Sequence, residues 1–169
     1  GRSLAVVWNG IDPRPGSHAA PVRAGKAMPG IPVLGSMSTL TEQKGLPTLL
    51  DAARLLMDRG IAFRLEIVGA GPLAESLRAR AGALGLEGYV NFPGWVPDAA
   101  ATRLPGFDVF VQSSNWEAMS VVIIEALAAA KPVIATRVGE NEHVLQDGVT
   151  GLLVQPNDPR GLADAIERT

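Results

Sequence analysis
The chain has 169 residues, 47% of them apolar and 19% charged, with 15 Lys and Arg against 17 Asp and Glu. That much apolar side chain supplies the core of one ordinary domain and excludes wholesale disorder. A formal charge of -2 lacks the basic surplus of a nucleic-acid-binding surface. Cysteine is absent, which excludes a disulfide framework, a thiolate zinc site and a cysteine nucleophile.

In chain order, a short β-rich run at residues 4–8 is followed by residues 10–30, rich in Pro, Gly and Ala and read as a flexible loop. Further β-rich runs at 32–36, 63–68, 89–92, 107–112, 132–136 and 151–154 alternate with helical patterns. The helix at 47–59 carries one apolar stripe (Leu49, Leu50, Ala53, Leu56, Met57), has Pro47 near its start and stops at Gly60. A second helix spans 73–84 and ends at Gly85. A third, 118–130, is apolar nearly all round and is expected to be buried, and a last one runs over 158–169. Several strands are apolar on successive residues, as strands covered on both faces must be. The alternation predicts an α/β, Rossmann-like, three-layer doubly wound parallel sheet, one domain over 1–169, whose ligands bind beyond the carboxyl ends of the strands. Residues 121–135, the most apolar stretch, are broken by Glu125, Lys131 and Pro132 and are too short to span a bilayer. Residues 1–8 lack the apolar core of a signal peptide, so a cytoplasmic protein without a membrane span is expected.

Three features carry chemistry. Glu117 and Glu125 bracket an apolar run, and on one continuous helix their backbones lie about 12 Å apart along its axis. A glycosidase needs its two carboxyl groups only about 5–9.5 Å apart, so this spacing suits the two ends of an elongated polyhydroxylated ligand better. A helix N-terminus between them favours phosphate. On the plainer reading, Glu117 is a helix-start acid and Glu125 a partly buried carboxylate satisfied by a backbone donor. Residues 35–45 (Gly-Ser-Met-Ser-Thr-Leu-Thr-Glu-Gln-Lys-Gly) lie between a strand and a helix. Ser38 and Thr39 there permit close approach of an anion and Lys44 supplies charge, although the glycine spacing is not that of a Walker loop. Gly69 and Gly71 follow the strand at 63–68, where either a ligand touching backbone or a tight strand-to-helix turn accounts for them. His18 and His143 have no second histidine or cysteine nearby, and Ser113 and Ser114 lack the Gly-x-Ser-x-Gly elbow. No Asp-x-Asp is present to grip a nucleotide through a divalent metal.

Taken together, these strings resemble family 4 retaining glycosyltransferases. Val7-Trp8-Asn9-Gly10-Ile11-Asp12 looks like the family's hinge, and residues 38–45 like its Ser-Arg-Leu…Lys-Gly loop. Residues 67–72 and 92–96 look like its next two nucleotide-facing turns. Residues 117–136 are similar to its paired-glutamate helix and following strand, and residues 147–154 to its closing strand. The resemblance implies the C-terminal, donor-binding half of a GT-B enzyme that transfers a sugar with retention, without metal or cofactor.

Under that resemblance Lys44 offsets diphosphate charge, Glu117 contacts the donor sugar and Glu125 the ribose. The backbone of Ala118, Met119 and Ser120 lies near sugar and phosphate. Gly69, Gly71 and Val96 lie near the nucleoside, with Ser38 and Thr39 in the loop. Thr39 stands where the family has Arg, the absence of which removes about 1.5–3 kcal/mol of charge-assisted contact. Ala118 and Ala130 replace usual glycines, and Arg137 and Glu140 stand where Asp and Gly are commoner. The implied partners are a nucleotide-sugar and an N-terminal acceptor-binding half, without which turnover is not expected. An exposed interdomain face would also permit a homodimer. Two other readings stay open: a non-enzymatic Rossmann-like interaction module with a degenerate site, and half of another GT-B enzyme, a sugar-nucleotide epimerase.

Overall fold
The computed structural model describes residues 30–169. The predicted strand at 4–8, the hinge-like string at 7–12, His18 and the loop before Gly30 lie outside the described residues.

The predicted alternation is realised as β1 (Val33–Met37), α1 (Leu46–Asp58), β2 (Arg64–Val68), α2 (Ala74–Ala83), β3 (Val90–Gly94), α3 (Ala99–Arg103), β4 (Val109–Gln112), α4 (Val121–Ala128), β5 (Val133–Thr136), α5 (Asn141–Val144), β6 (Leu152–Val154) and α6 (Pro159–Glu167). The six strands form one sheet in the order β3-β2-β1-β4-β5-β6, and every neighbouring pair is parallel. Each strand begins and ends within two residues of its predicted bounds.

Successive apolar residues go to opposite faces, as a doubly covered sheet requires. Leu34, Leu65, Ile67, Val111 and Ile134 pack with Leu49, Leu50 and Leu56 of α1 and Leu162 and Ala165 of α6. Met37, Val68, Phe110, Val133 and Ala135 pack on the other side with Phe107 and with Ile123 and Ala126 of α4. Gly35 makes room for this second layer, because any side chain there would collide with the Phe107 ring. α6 opens with Pro159 at its first turn, and the Asp158 carboxylate accepts from the Gly161 amide at 2.9 Å, an N-cap bond.

Two expectations about α4 are corrected. The helix begins at Val121, not at 118, so Glu117 precedes it and the spacing of about 12 Å along a continuous helix axis does not apply. It is also less buried than expected: only Ile123 and Ala126 are fully covered, and Val121 is exposed. One sheet face can cover only one side of a helix that is apolar all round.

α4 ends in a Schellman motif. Ala130 donates to Leu127 O and Lys131 to Ala126 O, both at 2.9 Å, with Ala130 left-handed at φ 53°. Glycine adopts that conformation without strain, which gives the replacement of glycine by Ala130 a physical cost.

Parallel pairing of β1 with β2 on one side and β4 on the other places their carboxyl ends together, where the sheet order reverses. The loops after β1 and β4 therefore meet at the crevice where doubly wound sheets bind ligands.

Candidate functional site
The loop after β1 closes with a short 3-10 helix (Glu42–Lys44), and the loop after β4 runs through Ser113–Glu117 to α4. They are stitched together. The Asn115 amide donates to Gln43 O at 2.7 Å, the Asn115 side-chain amide to Glu42 O at 2.7 Å and the Ser113 hydroxyl to Lys44 O at 3.0 Å.

This stitching puts the Lys44 ammonium 2.5 Å from Glu117 Oε1. The Ser114 hydroxyl donates to the same oxygen at 2.8 Å, and Gln43 reaches Oε2 at 3.3 Å. The Glu117 side chain is only 6% exposed, and a carboxylate so enclosed needs these donors. Lys44 keeps 18% exposure, so its side chain still touches solvent.

A buried polar chain lies beneath. Thr136 Oγ1 donates to Ser114 O at 2.6 Å, Asn141 Nδ2 donates to Thr136 O and Gln112 Oε1, both at 2.9 Å, and Gln112 Nε2 donates to Ser120 Oγ at 2.5 Å. Ser120 is the N-cap of α4, yet its hydroxyl makes no cap bond, being engaged with Gln112. The turn after β5 closes the site from the other side. Glu140 N donates to Ala118 O at 3.0 Å, and Gly139, left-handed at φ 52°, lies so close that a Cβ would stand 2.1 Å from Glu117 O.

Of the residues singled out in the sequence, Lys44 and Glu117 are in direct contact, and Ala118, Met119 and Ser120 form the link from Glu117 to α4. Ala118 is exposed, Met119 half-buried and Ser120 buried. Among the described residues the left-handed non-glycines are Asp98, Ala130 and Asn157, so alanine at 118 meets no backbone strain. Glu125 lies half-buried in the second turn of α4, and burial raises its carboxyl above the ordinary range near 4.5.

Ser38 and Thr39 follow β1, with the Ser38 amide on Val68 O at 3.0 Å and Thr39 exposed. Gly69 and Gly71 lie directly against that loop: a Cβ on Gly69 would stand 1.8 Å from Ser38 O, and one on Gly71 2.5 Å from Leu40 O. Close packing of two loops accounts for both glycines. Val96, after β3, is half-buried against the second core layer. His143 Nδ1 lies 2.8 Å from Glu140 Oε2, so the two occupy one exposed turn.

The sequence reading gives no role to Gln43, Asn115, Gly139 or Asn141, and Ser114 enters it only as a serine without a nucleophile elbow. Only the position of Gly139 within a Val-Gly-Glu turn carried a local signal. A cavity of about 320 Å³ lined by Val33, Arg64, Glu66, Glu87 and Asn91 sits toward the amino ends of β1–β3, away from these loops. Among the described residues no helix is long and apolar enough to cross a membrane.

The fold and the crevice define the class: a Rossmann-like doubly wound α/β domain of the kind that forms one half of GT-B glycosyltransferases. Residues 30–169 match the model of the family described as Glycosyl transferases group 1, and the chain belongs to that family. It is 37% identical over 137 residues to the lipopolysaccharide core biosynthesis glycosyltransferase LpsE of Rhizobium meliloti, covering 81% of this chain and 39% of LpsE. It is 38% identical over 126 residues to the phosphatidyl-myo-inositol mannosyltransferase of Mycobacterium leprae, covering 73% of this chain and 33% of that protein. The chain thus spans well under half the length of these relatives. Among solved structures, Anabaena Alr3699/HepE in complex with UDP-glucose superposes with a TM-score of 0.76 at 28% identity, over 82% of this chain and 39% of that one.

Proposed function
We propose that the chain is the donor-binding half of a retaining, metal-independent glycosyltransferase that takes its sugar from a nucleoside diphosphate. The observation that carries this reading is the Lys44–Glu117 pair at the carboxyl ends of β1 and β4, beside the N-terminus of α4. One cation and a set of unsatisfied helix amides suit a diphosphate without metal. An enclosed carboxylate next to them suits the hydroxyl groups of a sugar. Glu125, one helical turn further along, takes the ribose hydroxyls in the same reading. Family membership and the UDP-glucose bound by the Anabaena relative support the ligand class. Acceptor contacts are assigned to a second α/β half, and transfer requires it.

The test is isothermal titration of the chain with UDP-glucose, GDP-mannose and ADP-glucose and with the matching free nucleoside diphosphates. Saturable binding of one pair, lost in Lys44→Met, is the expected result. Absence of heat with all of them contradicts the reading and leaves an interaction module with a degenerate site.

A further inference from the structure
Glu117 Oε1 accepts two donors of different character. Lys44, on a long flexible stem, is also the group that the donor-binding reading assigns to the diphosphate; Ser114 is fully buried and held on every side. Its carbonyl accepts from Thr136 at 2.6 Å. The preceding residue, Ser113, is tied by its hydroxyl to Lys44 O, and the following one, Asn115, by its amide to Gln43 O. Ser114 therefore cannot follow a ligand, whereas the Lys44 ammonium can. Oε2 carries only the long bond from Gln43 at 3.3 Å and is the oxygen with capacity to spare.

We propose that Ser114 is the positioning residue for Glu117: it holds Oε1 when the diphosphate draws Lys44 away, so that Oε2 stays presented to a hydroxyl of the donor sugar. This rests on the donor-binding reading and adds to it the division of work between the two carboxylate oxygens. Without the Ser114 hydroxyl, a Glu117 released by Lys44 keeps only the weak bond from Gln43, and its carboxylate turns toward solvent. The nucleoside diphosphate, which does not use Glu117, is then bound as before, while the additional affinity contributed by the sugar is lost.

The experiment compares wild type, Ser114→Ala, Ser114→Thr, Glu117→Ala and the Ser114→Ala/Glu117→Ala double variant. The ligands are whichever nucleotide-sugar of UDP-glucose, GDP-mannose and ADP-glucose binds tightest, and its free nucleoside diphosphate. A hydrogen bond to a charged group corresponds to roughly a tenfold change in affinity. Ser114→Ala is therefore expected to weaken the nucleotide-sugar about tenfold, with the free diphosphate changed less than about twofold. Ser114→Thr, which keeps the hydroxyl, is expected to restore most of the loss. The double variant is expected to bind no more weakly than Glu117→Ala alone, because two residues acting through one contact are not additive. Equal weakening of both ligands in Ser114→Ala, or misfolding of that variant, makes the hydroxyl a structural support only and overturns the proposal. Full retention of the sugar's contribution in Ser114→Ala overturns it as well. If wild type binds none of the nucleotides, the donor-binding reading itself has failed; if it binds them and Ser114→Ala is silent, only the positioning role has.

Discussion
Lys44 and Glu117, 73 residues apart in sequence, meet at 2.5 Å because β1 and β4 are neighbours at the point where the sheet order reverses. The pair is asymmetric: the carboxylate is enclosed and the ammonium still reaches solvent. Removal of either partner therefore has a different consequence. Lys44→Met leaves Glu117 with Ser114 and Gln43 as donors but no countercharge, and is expected to destabilise the fold by about 2–3 kcal/mol, at or below the low end for a fully buried pair because Lys44 still touches solvent. Glu117→Gln frees a lysine that can hydrate, and is expected to destabilise by less. In titrations Lys44→Met should lose the nucleoside diphosphate, while Glu117→Gln should bind it at least as tightly as wild type, since no carboxylate competes for the ammonium. Denaturant melts and calorimetry on the two variants check both statements, and an equal loss of diphosphate binding in both contradicts them.

Glu125 supplies the pH dependence. Burial raises its carboxyl, so the folded chain holds a proton that the unfolded chain has already released. The contribution to stability is fully present below the unfolded value near 4.5 and is lost as pH rises through the raised folded value. Glu125→Gln, which never ionises, should match wild type near pH 4 and exceed it in melting temperature near pH 7. If the ionised carboxylate takes ribose hydroxyls, nucleotide affinity in wild type rises over the same interval, and the variant shows no such rise.

Ala130 closes α4 in a left-handed conformation that favours glycine. Relief of that strain, less the added freedom of glycine in the unfolded chain, gives Ala130→Gly an expected gain of about 0.5–1 kcal/mol. Chemical denaturation measures it, and a loss of stability contradicts the strain.

Gly139 makes the opposite case. A side chain there would collide with Glu117 O in a backbone that is already left-handed. Gly139→Ala should destabilise by more than about 1–2 kcal/mol, the penalty of the left-handed conformation alone, and should shift the Glu117 backbone. Weakened nucleotide-sugar binding should accompany the lower melting temperature; normal binding would separate Gly139 from the site.

The strands at 109–112 and 133–136 are legible because burial on both faces demands apolar runs, and these stand out against the polar turns beside them. The start of α4 is not. Ala118 and Met119 favour helix and mask the true start, which Ser120 marks ahead of the apolar run. Helices of four or five residues, such as α3 and α5, are too short to show a period. Glu117 and Glu125 are legible as charges beside or within an apolar run, and Lys44 as the cation of a loop between a strand and a helix. Ser114 and Asn141 are not, because their roles come from partners brought close by strand order and no local pattern marks them.

The structure of the chain with its tightest-binding nucleotide-sugar tests most directly whether the crevice between the loops after β1 and β4 holds an activated sugar. The expected result is a diphosphate oxygen about 3 Å from Lys44 Nζ, phosphate on the first amides of α4, and a sugar hydroxyl on Glu117 Oε2. A nucleotide seated anywhere else, with the Lys44–Glu117 pair intact and untouched, would contradict the account.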